Sequence, residues 1–277
     1  MPRPLLPLID RTYTLLARSA LIVRAALVIR RITACIVGHR FAQGGIEFER
    51  NGEAWFLREL APSCRTFLDV GANVGAWSAL MLATAADARG VAYEPSSTAL
   101  TRLRGRLGRQ DRLEIVPAAV SDAPGELVFY EEAEAGETSS LVAGHSNAGA
   151  VARPVPVVTI DAELERLGLE RVDLLKIDAE GFDLHVLRGA SRALAERRVG
   201  AVQFEYNAPW AWAGATLGAA TRLLQSSGME VFVLQPGALR TFDSERVGEF
   251  FSYANFVALG PAARERLAPF VSGDVLA

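Results

Sequence analysis

The sequence predicts an α/β protein: a mostly parallel sheet with helices on both faces. Three observations lead there. Short, nearly continuous apolar runs such as "CRTFLDV", "GVAYEP", "DLLKID" and "VGAVQFEYN" alternate with helical segments, as strands do when crossover helices cover both faces of their sheet. The motifs that could carry chemistry fall at the carboxyl ends of those runs, where such sheets bind ligands. Glycines mark the first strand-to-helix turn, "DVGANVG".

Along the chain, residues 1–45 read as a basic, apolar helical extension. Residues 1–46 hold seven arginines and one acid, Asp10, a local +6 in a chain of net charge −3, so the other 231 residues carry −9. Arg18, Arg24, Arg30 and Arg31 interrupt every apolar run, so neither a signal peptide nor a spanning helix is expected. The extension could lie on an anionic membrane surface with its arginines snorkelling to phosphates, or pack on the body or on a second subunit as a homodimer. Two cysteines, Cys35 and Cys64, give no disulfide or metal spacing and fit a reducing compartment. The expected location is cytoplasmic, with peripheral contact at the inner face of the membrane as the variant.

From residue 46 to 277 one domain is expected, of a size that sustains a single large core. Asn51 reads as the cap of a helix whose Phe56, Leu57 and Leu60 form an apolar face. "CRTFLDV" is a strand and "VGAWSALMLATAA" a helix; "GVAYEP" is a strand, and a helix capped by Ser96 or Ser97 follows. "RLEIVPAAV" is a strand. Residues 120–160 interrupt the alternation, two short β-like pieces flanking a soft loop, as a lid would. "DLLKID" is a strand, followed by a helix through "FDLHVLRGASRALAE", a strand "VGAVQFEYN", a helix ending at Gly228 and the closing strands "EVFVLQ" and "ANFVALG". There is no internal repeat.

The turn motif is G-x-N-x-G, formed by Gly71, Asn73 and Gly75, with Asp69 two positions before it. Glycines let a ligand approach the backbone, and a helix start offers unpaired N–H groups. The spacing is not the G-x-G-x-x-G that receives a pyrophosphate. Asp69 would repel a pyrophosphate and attract an ammonium group, as in the amino-acid tail of S-adenosylmethionine. Glu94, ending the next strand before Pro95, can accept hydrogen bonds from both ribose hydroxyls. Ala118 and Ala119 are small enough to flank a flat adenine, and Ser121 and Asp122 could reach its edge.

These motifs, together with "GETSSL", "VPVVTIDAELERLGLERVDLLKIDAEGFDLHVLRGA" and "QFEYN", resemble the FkbM family of S-adenosylmethionine-dependent methyltransferases over roughly residues 50–260. The resemblance implies a class I methyltransferase (Rossmann-like) fold and, most often, methyl transfer to a hydroxyl oxygen of a sugar, glycolipid, glycan or natural product. It implies that Asp69, Gly71, Asn73, Gly75 and Glu94 bind the cofactor and that Asp178, Glu180 and Gly181 shape the reaction end. Where the family more often has a second Glu after "EGF", this chain has Asp183.

Lys176 is the chain's single lysine beside 28 arginines. On a strand it shares a face with Asp178, and a buried ammonium needs a partner. A compact point charge suits a narrow site between two carboxylates better than a planar guanidinium. Lys176 is therefore expected to clamp Asp178, with Glu205 on the following strand as the second partner; a direct catalytic role is the alternative. Methyl transfer needs a base for the acceptor proton, and the candidates are Asp178, Glu180, Lys176 and, from the soft loop, His145, with Glu180 or Asp178 preferred. Asp178 also borders the cofactor. Mg²⁺, held by Asp178, Glu205 and Asn207, is an unfavoured alternative.

Two other readings compete. An NAD-dependent oxidoreductase is disfavoured by the missing pyrophosphate glycines, and a non-catalytic membrane-associated binding module by the full set of cofactor acids. Nucleic acid is not expected as a partner, because the chain beyond residue 46 is acidic and carries no basic, aromatic-studded stripe.

Overall fold

The computed structural model describes residues 6–132, 139–142 and 149–277. Two helices, α1 (Leu6–Ala17) and α2 (Ala20–Phe41), form an N-terminal arm, and α3 (Glu53–Leu60) opens the body. Then come β1 (Thr66–Val70), α4 (Ala76–Thr84), β2 (Arg89–Tyr93), α5 (Ser97–Leu107) and β3 (Leu113–Val116). The insertion holds β4 (Ala119–Val120), β5 (Gly125–Glu131) and β6 (Val151–Val158). After α6 (Ile160–Arg166), β7 (Val172–Ile177), α7 (Asp183–Gly189), α8 (Ser191–Ala195) and β8 (Val199–Tyr206) return to the main sheet. The chain closes through α9 (Pro209–Trp212), α10 (Leu217–Ser226), β9 (Glu230–Gln235), β10 (Ala238–Thr241), α11 (Ser244–Val247), β11 (Ala254–Leu259), α12 (Pro261–Arg266) and β12 (Val271–Asp274).

Nine strands make one sheet in the order β12-β10-β9-β11-β8-β7-β1-β2-β3. Strands β8, β7, β1, β2 and β3 are mutually parallel, and β11 runs antiparallel to both its neighbours, β8 and β9. The chain travels outward from β1 to β3 and then restarts on the other side of β1 with β7. The carboxyl ends of β1 and β7 therefore flank the switch point where open α/β sheets bind ligands.

Alternation along each strand divides the core. Leu68, Leu175, Val202 and Phe256 face one layer with Leu164, Leu187 and Leu224 from the helices. Their chain neighbours Phe67, Leu174, Ala201 and Val257 face the other, with Phe56, Leu60 and Met81 from α3 and α4. Period-two side-chain direction explains why these strands carry apolar residues at successive positions.

Three expectations change. "RLEIVPAAV" is two strands: Pro117, with no N–H to give the ladder, ends β3, and β4 joins a separate sheet of order β4-β6-β5. The helix through "FDLHVLRGASRALAE" breaks at Ala190 into α7 and α8. The helical extension does not pack along the body: residues 12–36 are exposed apart from half-buried Ser19, and burial begins only in the last turns of α2, at Val37, Gly38, Arg40 and Phe41.

Candidate active site

The turn after β1 is built on a close approach. Gly71 has φ +72°, and a Cβ there would stand 1.8 Å from the Asp178 carbonyl oxygen. Only glycine lets the ends of β1 and β7 meet this closely. Asn73 is also left-handed, at φ +48°. Its N–H donates to Glu94 Oε2 at 2.7 Å, and its side-chain Oδ1 is buried with no partner. Gly75 does something other than expected. It borders neither cleft described below; a Cβ there would lie 2.5 Å from Leu103, so its role is to let α4 pack on α5.

Glu94 is 5% exposed and accepts from the Ser96 N–H as well as from Asn73, both at 2.7 Å. Burial pushes its carboxyl up to about 7, against those two hydrogen bonds and the Lys176 charge, with Asp69 pushing it further up. A residue that sequence reasoning missed fixes this corner. Glu131, at the end of β5, accepts from the Ser96 and Ser97 hydroxyls and the Thr98 N–H through Oε1. Its other oxygen pairs with Arg153 on β6, which also donates to the Pro95 carbonyl. The insertion sheet is thereby tied to the N-terminus of α5 and to the Glu94 loop. Nothing local in "VFYEE" signals this, because its partners lie some thirty residues upstream.

Two clefts meet at the switch point. The first is lined by Glu94, Pro95, Ala118, Ala119, Phe129 and Leu141. The second is lined by Phe48, Glu53, Trp77, Lys176, Glu205 and Tyr253. Gly71, Asn73, Asp178 and Glu180 line both. Pro95 and Ala119 thus stand where expected. Ser121 does not: it borders neither cleft, its hydroxyl bonds Asp122 at 3.2 Å, and its carbonyl packs where a Cβ on Gly189 would fall.

Lys176 is 5% exposed. Its ammonium donates to the Gly71 carbonyl at 3.0 Å and to Asp178 Oδ2 at 3.2 Å, and lies 3.4 Å from Asp69 Oδ1. Burial alone would push its pKa down; Asp178, Asp69 and Glu53 outweigh burial and hold it above the ordinary value. With two carboxylates and a carbonyl around its ammonium, Lys176 has the contacts expected of a clamp. The second jaw is Asp69 on β1, not Glu205 as expected. Asp69 is corrected in turn. It is wholly buried, and its Oδ2 accepts from Ser78 at 2.6 Å, so it is spent inside the protein and does not face a ligand's ammonium. Asn73, whose buried Oδ1 has no partner, does border both clefts.

Beyond β7 the chain turns through "DAEG". Glu180 has φ +46° and Gly181 φ +102°, and left-handed backbone at a non-glycine residue is a strain that surrounding contacts must hold. Ser140 Oγ donates to the Glu180 carbonyl at 2.7 Å, which brings the insertion onto this turn. Gly181 packs on Pro209, whose Cβ would lie 2.7 Å from an added Cβ. Asn207 Nδ2 donates to Glu205 Oε1 at 2.7 Å and Glu180 Oε2 at 3.2 Å. Burial and neighbouring carboxylates raise the pKa values of Glu205 and Asp183 well above the ordinary range, and burial raises that of Glu53. Among the described residues, Asp178, Glu180 and Glu205 form the group whose carboxylate oxygens, all within 4.8 Å of one another, could hold a metal. Three oxygen donors suit a hard divalent cation. The set differs from the expected one: Glu180 joins it, while Asn207 turns its amide nitrogen, a donor, towards the carboxylates. His145 lies outside the described residues.

The profile of the Methyltransferase FkbM domain matches residues 69–241, well over half of the chain. The AMB antimetabolite synthetase AmbE of Pseudomonas aeruginosa is 30% identical over 252 residues, covering 78% of this chain and 11% of that protein. The 2-O-methyltransferase NoeI of Sinorhizobium fredii is 26% identical over 148 residues, covering 47% of this chain and 59% of that one. The chain thus spans less than two thirds of the length of either relative. The crystal structure of methyltransferase FkbM from Methylobacillus flagellatus aligns with a TM-score of 0.47 at 15% identity, over 84% of this chain and 60% of that one. Because the FkbM domain covers well over half of the chain, the chain belongs to the FkbM methyltransferase family.

Proposed function

We propose that the protein transfers a methyl group from S-adenosylmethionine to a hydroxyl of a sugar, glycolipid, glycan or natural product. The observation that carries this reading is the shared wall: Gly71, Asn73, Asp178 and Glu180 border two clefts at once. A donor in one and an acceptor in the other meet across that wall, as an in-line displacement requires. The residues of the first cleft fit the cofactor. Glu94 would take the ribose hydroxyls, and Ala118 and Ala119 leave room for the adenine. The unpaired Asn73 Oδ1 would accept from the ammonium group.

S-adenosylmethionine supplies a methyl group made electrophilic by its sulfonium; the chain's own residues do the rest. The acceptor oxygen must lose its proton as the new bond forms. Asp178 is already held by Lys176 at 3.2 Å, which leaves Glu180, facing both clefts, as the base. Lys176 keeps Asp178 and the Gly71 carbonyl in place. The name of NoeI, a 2-O-methyltransferase, supports oxygen as the atom methylated.

The test is calorimetric titration with S-adenosylhomocysteine, with NAD in parallel, followed by an acceptor screen with labelled S-adenosylmethionine. Micromolar binding of S-adenosylhomocysteine alone is expected. NAD binding in its place would overturn the reading of the Gly71–Asn73 turn.

A further inference from the structure

The N-terminal arm leaves a large apolar surface in water. Leu21 is 77% exposed, Ile36 65% and Ile29 61%, and Tyr13, Leu15, Leu27, Val28 and Ile32 are each more than half exposed. Soluble surfaces seldom expose contiguous apolar area of this extent without a partner to cover it.

The arrangement of charge identifies the partner. At helical spacing Leu21, Ile22, Val28, Ile29, Ile32 and Ile36 fall within one sector of roughly 120°. Arg24 and Arg31, seven residues apart, share one border of that sector, and Arg30 lies on the far side. Between Asp10 and Glu47 there is no acidic residue. A second copy of the same arm would set these arginines against one another, with a single carboxylate per arm, Asp10, to answer them. A bilayer bearing anionic headgroups offers both what the aliphatic sector needs and what its arginine border needs. No helix among the described residues is long and apolar enough to cross a membrane, so the arm would lie at the surface.

The arm is fastened to the body beside the second cleft. Phe41 is fully buried, its ring 4.6 Å from that of Phe250. Gln235 Nε2 donates to the Arg40 carbonyl at 2.8 Å, and the Arg40 guanidinium donates to the Val275 and Ala277 carbonyls. The segment that follows carries Ile46 and Phe48, both lining the second cleft. Ile46 is itself 68% exposed, which continues the apolar surface to the cleft rim.

We infer that α1 and α2 dock the protein on an anionic lipid surface, bringing the second cleft to the bilayer. The inference rests on the arm alone and stands whether or not the methyl-transfer reading holds.

The experiment is co-sedimentation of the full chain with vesicles of phosphatidylcholine, with and without phosphatidylglycerol, alongside sedimentation equilibrium without lipid. The full chain should bind the anionic vesicles and not the neutral ones. Replacing Arg18, Arg24, Arg30 and Arg31 together by Gln should weaken binding by ~10²–10³-fold, at about 1 kcal/mol per arginine near the surface. Ile29→Gln with Ile32→Gln and Ile36→Gln should weaken it as well. All of these side chains are exposed, so the variants should melt with the wild type, and S-adenosylhomocysteine titration should be unchanged. Absence of vesicle binding overturns the inference, as does binding that the arginine variant leaves unchanged. A stable dimer that the Ile29, Ile32 and Ile36 changes dissociate, with no vesicle binding, assigns the surface to a second copy and also overturns it.

Discussion

The Lys176 ammonium lies 3.4 Å from Asp69 Oδ1, joining β7 to β1 beneath the turn where the two clefts meet. Breaking such a buried pair by removing one partner costs ~3–5 kcal/mol, because the other charge is left stranded. Lys176→Met should therefore lower stability by about that amount in urea unfolding. Lys176→Arg keeps the charge but must fit a wider head among three oxygens at 3.0 to 3.4 Å; overpacking of this kind costs ~1–3 kcal/mol. A Lys176→Arg protein with the wild-type midpoint and turnover would remove the reason given for this solitary lysine.

Glu94 should impose a pH dependence of definite sign. Its folded-state pKa is raised from 4.5 to about 7, so the native state holds a proton that the unfolded chain releases. Below about 4.5 both states are protonated and the group costs nothing; the penalty grows as pH rises and is complete above about 7. At about 1.4 kcal/mol per unit this amounts to roughly 3 kcal/mol. The ionised form is the acceptor that ribose hydroxyls need. Titration with S-adenosylhomocysteine should therefore show affinity rising between about pH 6 and about pH 8. Glu94→Ala should bind more weakly and without that slope; unchanged affinity would sink the ribose assignment.

Glu131 has the opposite sign. Burial raises its carboxyl, but hydrogen bonds from the Thr98 N–H, the Ser96 and Ser97 hydroxyls and Arg153 outweigh burial and lower it to about 2. Its contribution is complete above about 4.5 and is lost as pH falls towards about 2. Glu131→Gln should cost ~1.5–3 kcal/mol at neutral pH, the range for hydrogen bonds to a charged group. Melting curves of the two proteins should converge in acid. A gap that stays constant with pH would mean that the charge is not what holds the α5 cap.

Gly71→Ala tests the close approach of β1 and β7. A methyl group 1.8 Å from the Asp178 carbonyl cannot be accommodated without moving backbone, and φ is +72°. Loss of S-adenosylhomocysteine binding and a marked fall in melting temperature are expected, whereas Gly105→Ala, on a face with open space, should be tolerated. Normal binding by Gly71→Ala would show that the turn is not the cofactor cradle.

Chelation separates a carboxylate base from a bound cation. With Glu180 as the base, turnover should persist in EDTA and fall by ~10²–10⁴-fold in Glu180→Gln, the usual contribution of a positioned base. Activity lost in EDTA and restored by Mg²⁺ would reassign Asp178, Glu180 and Glu205 to a metal.

The sequence determined the parallel sheet, because strands covered on both faces need apolar side chains in both directions, and "TFLDV", "DLLKI" and "AVQF" each supply adjacent apolar residues that point to opposite faces. It also pointed to Gly71, Asn73 and Glu94, which line the first cleft, since a turn needing φ above zero and an acid at a strand end are local features. Tertiary structure decided which carboxylates are spent internally. Asp69 looks like a ligand contact until β7 sets Lys176 beside it, and Glu205 looks like the clamp's second jaw until strand register pairs Lys176 with Gln203. Glu131 shows the same limit from the other side: nothing near it in the chain says that it caps a helix some thirty residues upstream. Strand and turn propensities are short-range and can be read from neighbouring residues. Pairing of buried charge is settled by contacts across the sheet, and those exist only once the chain has folded.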